Sequence, residues 1–164
     1  MARRIKYLGF VVVMLGVLSL ALGAVFVDQA VQKNHYVTSE LRQQKITLGL
    51  TKEQIANGGL VDNAHEAQVA ADTLEKHLQN IAPTYVDLTS ANPSGKFDPT
   101  NTKDLTYAQG LNLRNSMDTA VLAFGVIQES LATGIALIVI GLAIGLVGIV
   151  LLVLREKPPV QQKS

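Results

Sequence analysis

Three histidines, His35, His65 and His77, are the only nitrogen ligands of the usual metal-binding kind in this chain, which has no cysteine. His65-Glu66 begins like the His-Glu-x-x-His zinc motif, but Val69 stands where the second histidine is needed. His65 and His77 are twelve residues apart on one expected helix, roughly 18 Å along its axis, and cannot share an ion. The sequence therefore predicts three separate surface histidines and no metal site. Ser39, Ser116 and Ser130 lack the glycine elbow that exposes a nucleophile. Gly58-Gly59 lacks the strand, lysine and further glycines of a phosphate loop. Asp72 and Glu75 sit at ordinary helical spacing on an expected solvated face. No catalytic constellation stands out and no cofactor is called for, so the expectation is a protein that is not an enzyme.

Arg114, close to Asn115, Ser116 and Asp118, is the strongest ligand candidate, with His77 as the second. A guanidinium can hold a carboxylate or phosphate through two parallel hydrogen bonds. The structural alternative is an ion pair with Asp118 one turn on, or with Asp72 or Glu75. Lipid headgroups are not the expected partner, since Arg114 stands 17 residues, ~25 Å, before Leu131.

Whatever Arg114 does, a long helix must position it. From Leu113, steps of three and four reach Met117, Ala120, Phe124, Ile127, Leu131, Gly134, Ile138, Gly141, Gly145 and Gly148. This apolar or small seam repeats about every 3.5 residues, as in helices that pack along their length. It predicts one helix over Asp104 to Leu154. Leu131 to Leu154 is 24 residues without a charge, enough to cross a hydrocarbon core of about 30 Å. Arg114, Asp118, Gln128 and Glu129 place the preceding half in water.

Tyr7 to Val27 is a second uncharged run, of 21 residues. It is longer than the core of a secretory signal, which favours retention over cleavage after Ala21-Leu22-Gly23. It carries its own seam, Gly9, Val13, Gly16, Leu20, Gly23, Val27 and Ala30, continued by Asn34, Val37 and Leu41. The glycines recur every seventh residue in both runs, at Gly9, Gly16 and Gly23 and at Gly134, Gly141 and Gly148. An antiparallel pair would set Gly9 near Gly148, Gly16 near Gly141 and Gly23 near Gly134, small residues letting two backbones approach closely.

Charge orients the pair. Arg3, Arg4 and Lys6 precede the first run, and Arg155, Lys157 and Lys163 follow the second, while residues 28–130 hold eight basic and twelve acidic side chains. By the positive-inside rule both termini are cytoplasmic and the middle is extracytoplasmic. Nothing favours nucleic acid as a partner. At 164 residues there is room for two spans and one small domain: a basic cytoplasmic N-terminus 1–6, a transmembrane helix 7–27, an extracytoplasmic helical domain 28–130, a second transmembrane helix 131–154, and a disordered cytoplasmic tail 155–164 opened by Pro158-Pro159.

In the middle, Lys45-Ile46-Thr47-Leu48 reads as an extended connection. Thr51 with Gln54 forms a capping box for a short helix, stopped at Asn57-Gly58-Gly59. Asp62 or Asn63 caps an amphipathic helix to about Ile81, with Ala64, Ala67, Ala71, Leu74, Leu78 and Ile81 on one face and His65, Asp72, Lys76 and Asn80 on the other. Tyr85 to Leu88 reads as a short extended piece and Thr89 to Lys103 as a polar loop. The expected fold is an all-α membrane protein, a helical hairpin of two antiparallel spans extended into a small, roughly three-helix domain.

Lys45-Ile46-Thr47, Lys76-His77, Thr84-Tyr85 with Leu88, and above all the run from Leu113-Arg114-Asn115-Ser116 to Val126 resemble a group of uncharacterised small bacterial two-span membrane proteins. The resemblance covers residues 5–152, apart from a longer polar insert at Ala91–Lys103. It implies topology, not activity. Such proteins sometimes carry the label of aromatic ring-opening dioxygenase, and this sequence gives it no support, because the two histidines and one carboxylate of a non-haem iron site are not recognisable.

The expectation is thus a multi-pass protein of the cell membrane, whose partners are the lipid bilayer and either itself or another membrane protein. It would act as an interaction or assembly module: a self-associating envelope protein, or an accessory subunit of a membrane complex. Gly141-x-x-x-Gly145 is the motif that would serve a further helix. The alternative is an extracytoplasmic ligand-binding or sensory module holding a small anion or metal near Arg114 or His77.

Overall fold

Two helices much longer than the rest set the architecture. The computed structural model describes residues 2–153, and every regular element among them is helical: α1 (Ala2–Gln44), α2 (Lys52–Ala56), α3 (Ala64–Ile81), α4 (Tyr85–Ser90) and α5 (Thr102–Val153). Leu154 and the expected disordered tail 155–164 lie outside the described residues. Both α1 and α5 are long and apolar enough to cross a membrane. In each, only 11% of the most apolar stretch is buried, whereas the core helix of a soluble protein would be mostly covered.

The chain divides into two compact units, Met1–Gln32 with Ile127–Ser164, and Lys33–Val126. In the first, the pairing is antiparallel, because the α1 glycines at rising positions meet α5 at falling ones. Its buried residues, among those described, are Gly9, Gly16, Gly23, Ala30, Gly134, Gly141 and Gly148, and nothing larger. The bulky side chains, Leu8, Phe10, Leu18, Leu22, Ile135, Leu142, Leu146 and their like, point outward and are exposed. Dispersion between closely set backbones therefore holds this pair together. One polar tie is added: the Ser19 hydroxyl donates to the Leu137 carbonyl oxygen at 2.8 Å.

The second unit has an ordinary apolar core. Leu41 of α1, Ala67, Ala70, Ala71 and Leu74 of α3, Met117 and Ala120 of α5, and Val61 from the connection are buried together. Val37, Ile46, Leu48, Leu113 and Phe124 pack around them. The alanines on α3 let it lie close to its two neighbours, as the amphipathic pattern requires. A smaller cluster, Leu78, Ala82, Leu88 and Tyr107, seats α4 against α3 and α5.

Local chemistry explains the ends. Thr51 and Gln54 form the reciprocal cap of α2, and the Asn63 carboxamide oxygen accepts the Glu66 N–H to start α3. Three expectations are corrected. Residues 45–48 form no strand: Lys45 and Leu48 lie in turns, and Ile46 and Thr47 between them take no regular structure; Lys45 has a left-handed φ of 51° that ends α1, and the Val61 N–H donates to the Ile46 carbonyl oxygen. Tyr85 to Leu88 is helix, because Thr84 caps the Asp87 N–H and its hydroxyl donates to the Asp87 carboxylate at 2.7 Å. The last helix begins at Thr102, two residues before Asp104, since the Asn101 side-chain oxygen accepts the Lys103 N–H.

Candidate functional site

A Cβ atom added to each glycine of the seam measures how close the helices come. On Gly23 it would lie 2.7 Å from the Gly134 carbonyl oxygen; on Gly134, 2.9 Å from the Gly23 carbonyl oxygen. On Gly16 it would meet the Gly145 nitrogen at 2.8 Å and the Gly141 carbonyl oxygen at 2.9 Å. On Gly141 it would meet the Gly16 carbonyl oxygen at 2.8 Å, and on Gly148 the Val13 nitrogen at 2.8 Å. At Gly9 the approach is looser: the Leu152 side chain is at 2.9 Å and the Gly148 carbonyl oxygen at 3.5 Å. Real Cβ atoms do not come this near to backbone, so any side chain at the central positions would wedge the helices apart.

Gly145 differs from the others. Its backbone lies against Gly16, but its own Cβ direction opens on empty space, with nothing within 4 Å. In Gly141-x-x-x-Gly145, then, Gly141 is used within the chain and Gly145 presents a notch beside the seam. Gly125 is likewise open.

Arg114 is brought to two carboxylates. One guanidinium nitrogen, Nη2, lies 3.2 Å from Glu75 of α3, and Nε lies 3.7 Å from Asp118 one turn on. Nε is buried and has no hydrogen-bond partner, and the side chain as a whole is about one-third exposed. Both carboxylates already oppose its charge, which is the ion-pair alternative rather than an empty anion cradle. Glu75 is accordingly half-buried, not freely solvated, while Asp72 stays exposed and accepts from Gln68.

His77 is exposed at the edge of an apolar groove of about 300 Å³ between α3 and α5, floored by Leu74, Leu78, Ile81 and Leu113. Gly110 lets the Leu78 side chain come within 2.9 Å of where its Cβ would stand. His35 and His65 are exposed elsewhere. Among the described residues no group of three or more His, Cys, Asp or Glu side chains is placed to hold a metal. Glu66, the acid of the zinc-like dipeptide, is spent on its helix start, where it accepts the Asp62 N–H.

Sequence reasoning missed a buried polar lock at the start of α5. Asp104 is 1% exposed. Its Oδ2 accepts from the Asn92 carboxamide at 2.6 Å and from the Asp98 N–H at 2.8 Å. Asn92 also donates to the Lys96 carbonyl oxygen and accepts from Asn101. The expected polar loop is therefore tied to the helix that follows it. Asp98 itself is partly exposed, and its carboxyl is held below its ordinary pKa by the Thr100 hydroxyl, then by the Thr100 N–H.

Comparison with protein-family models, with curated proteins and with solved structures gives no match.

Proposed function

We propose that the chain is a non-enzymatic, two-span protein of the cell membrane that works as an interaction or assembly module. In this reading both termini are cytoplasmic and residues 28–130 form the extracytoplasmic domain. The chain would act either as a self-associating envelope protein or as an accessory subunit of a larger membrane complex. The basic side chains before the first apolar run and after the second support the orientation. The outward-facing Leu, Ile, Val and Phe side chains of α1 and α5 support insertion, since so much apolar surface is stable only against lipid or protein.

The observation that carries the reading is Gly145. A glycine in the middle of a helix costs roughly 1 kcal/mol relative to alanine. The six other seam glycines each face the partner helix of the same chain, but the Cβ direction of Gly145 faces open space. That open side would let a helix from outside the hairpin approach closely.

Native mass spectrometry of the protein, gently extracted from its own membranes, tests this. A mass that is a multiple of 17.6 kDa, falling to one copy in Gly145→Leu while the hairpin stays folded, is the expected result. A mass including another polypeptide makes the chain an accessory subunit. A bare monomer in the parent protein, or an assembly indifferent to Gly145→Leu, overturns the assembly mechanism.

A further inference from the structure

We draw no further inference here: the strongest candidate, the apolar groove between α3 and α5 floored by Leu74, Leu78, Ile81 and Leu113 beside His77, is an unpartnered face, and nothing in the structure shows what covers it.

Discussion

Gly16 and Gly145 touch asymmetrically: a Cβ on Gly16 would sit 2.8 Å from the Gly145 nitrogen, while a Cβ on Gly145 would meet nothing within 4 Å. The same contact is closed from one side and open from the other. Alanine is thus a discriminating probe.

Gly16→Ala, Gly23→Ala and Gly141→Ala should each destabilise the helix pair by about 1–3 kcal/mol, the usual cost of overpacking. Gly145→Ala and Gly125→Ala should be neutral, or stabilising by up to ~1 kcal/mol, because helix propensity improves and nothing is displaced. Unfolding of the detergent-solubilised variants, followed by circular dichroism, checks the split. Equal losses at Gly145 and Gly141 would show that the two helices meet in a different register.

Asp104→Ala should loosen the loop it anchors. It leaves the Asn92 carboxamide and the Asp98 N–H without a buried acceptor, a loss of roughly 1–3 kcal/mol. Asp104→Asn keeps one acceptor oxygen and should cost less. Hydrogen exchange is the direct readout: the Asp98 amide should exchange faster in the alanine variant than in the asparagine one. An unchanged rate would mean that the loop is held by its turns alone.

Arg114 should contribute little net stability despite its two carboxylates. The pairs are partly exposed, and the Nε–Asp118 distance of 3.7 Å is no hydrogen bond. Glu75→Gln should cost about 0.2–1 kcal/mol, diminishing at high salt. Arg114→Met keeps the aliphatic stem and deletes the unpartnered Nε, so it should stay within ~1 kcal/mol of the parent. Denaturant midpoints at low and high salt measure both; a salt-independent loss of several kcal/mol would show that the pair is far better desolvated than its exposure indicates.

Asp98 gives a pH effect of defined sign. Its folded carboxyl titrates below the ordinary value because the Thr100 hydroxyl and N–H bind the ionised form. The contribution is therefore present above the unfolded-state pKa and is lost as pH falls through the folded one. Thr100→Val removes the hydroxyl and should move the Asp98 carboxyl carbon titration to higher pH by NMR. With Asp98 partly exposed to water, the midpoint of unfolding should change little between the two proteins.

The long helices, the caps at Thr51 and Asn63, and the alanine face of α3 were legible because each is written in residues close together in sequence. Periodicity and capping are local signals, and Thr51 with Gln54 needs only four residues to be seen. The short helix α4 was harder. Tyr85 and Val86 favour strands, and the Thr84-x-x-Asp87 cap that opposes them is equally local but easily outweighed by propensity. The lock at Asp104 was not legible at all. Its partners Asn92 and Asp98 are ordinary loop residues, and only the folded path of the intervening turns brings them to one carboxylate. Sequence offers Arg114 three carboxylates, Asp118, Asp72 and Glu75, and the choice of Glu75 over Asp72 depends on how α3 settles against α5.

The hydrogen bond from Ser19 to Leu137 spans 118 positions of chain. At a synthesis rate of about 5–20 residues per second, α1 is complete for roughly 5–19 s before its acceptor exists. Throughout that interval the bare backbone at Gly9, Gly16 and Gly23 has no helix of its own chain to lie against. A nascent neighbour with a similar small-residue face would compete for it, so the correct pairing is a matter of timing during translation as well as of fit.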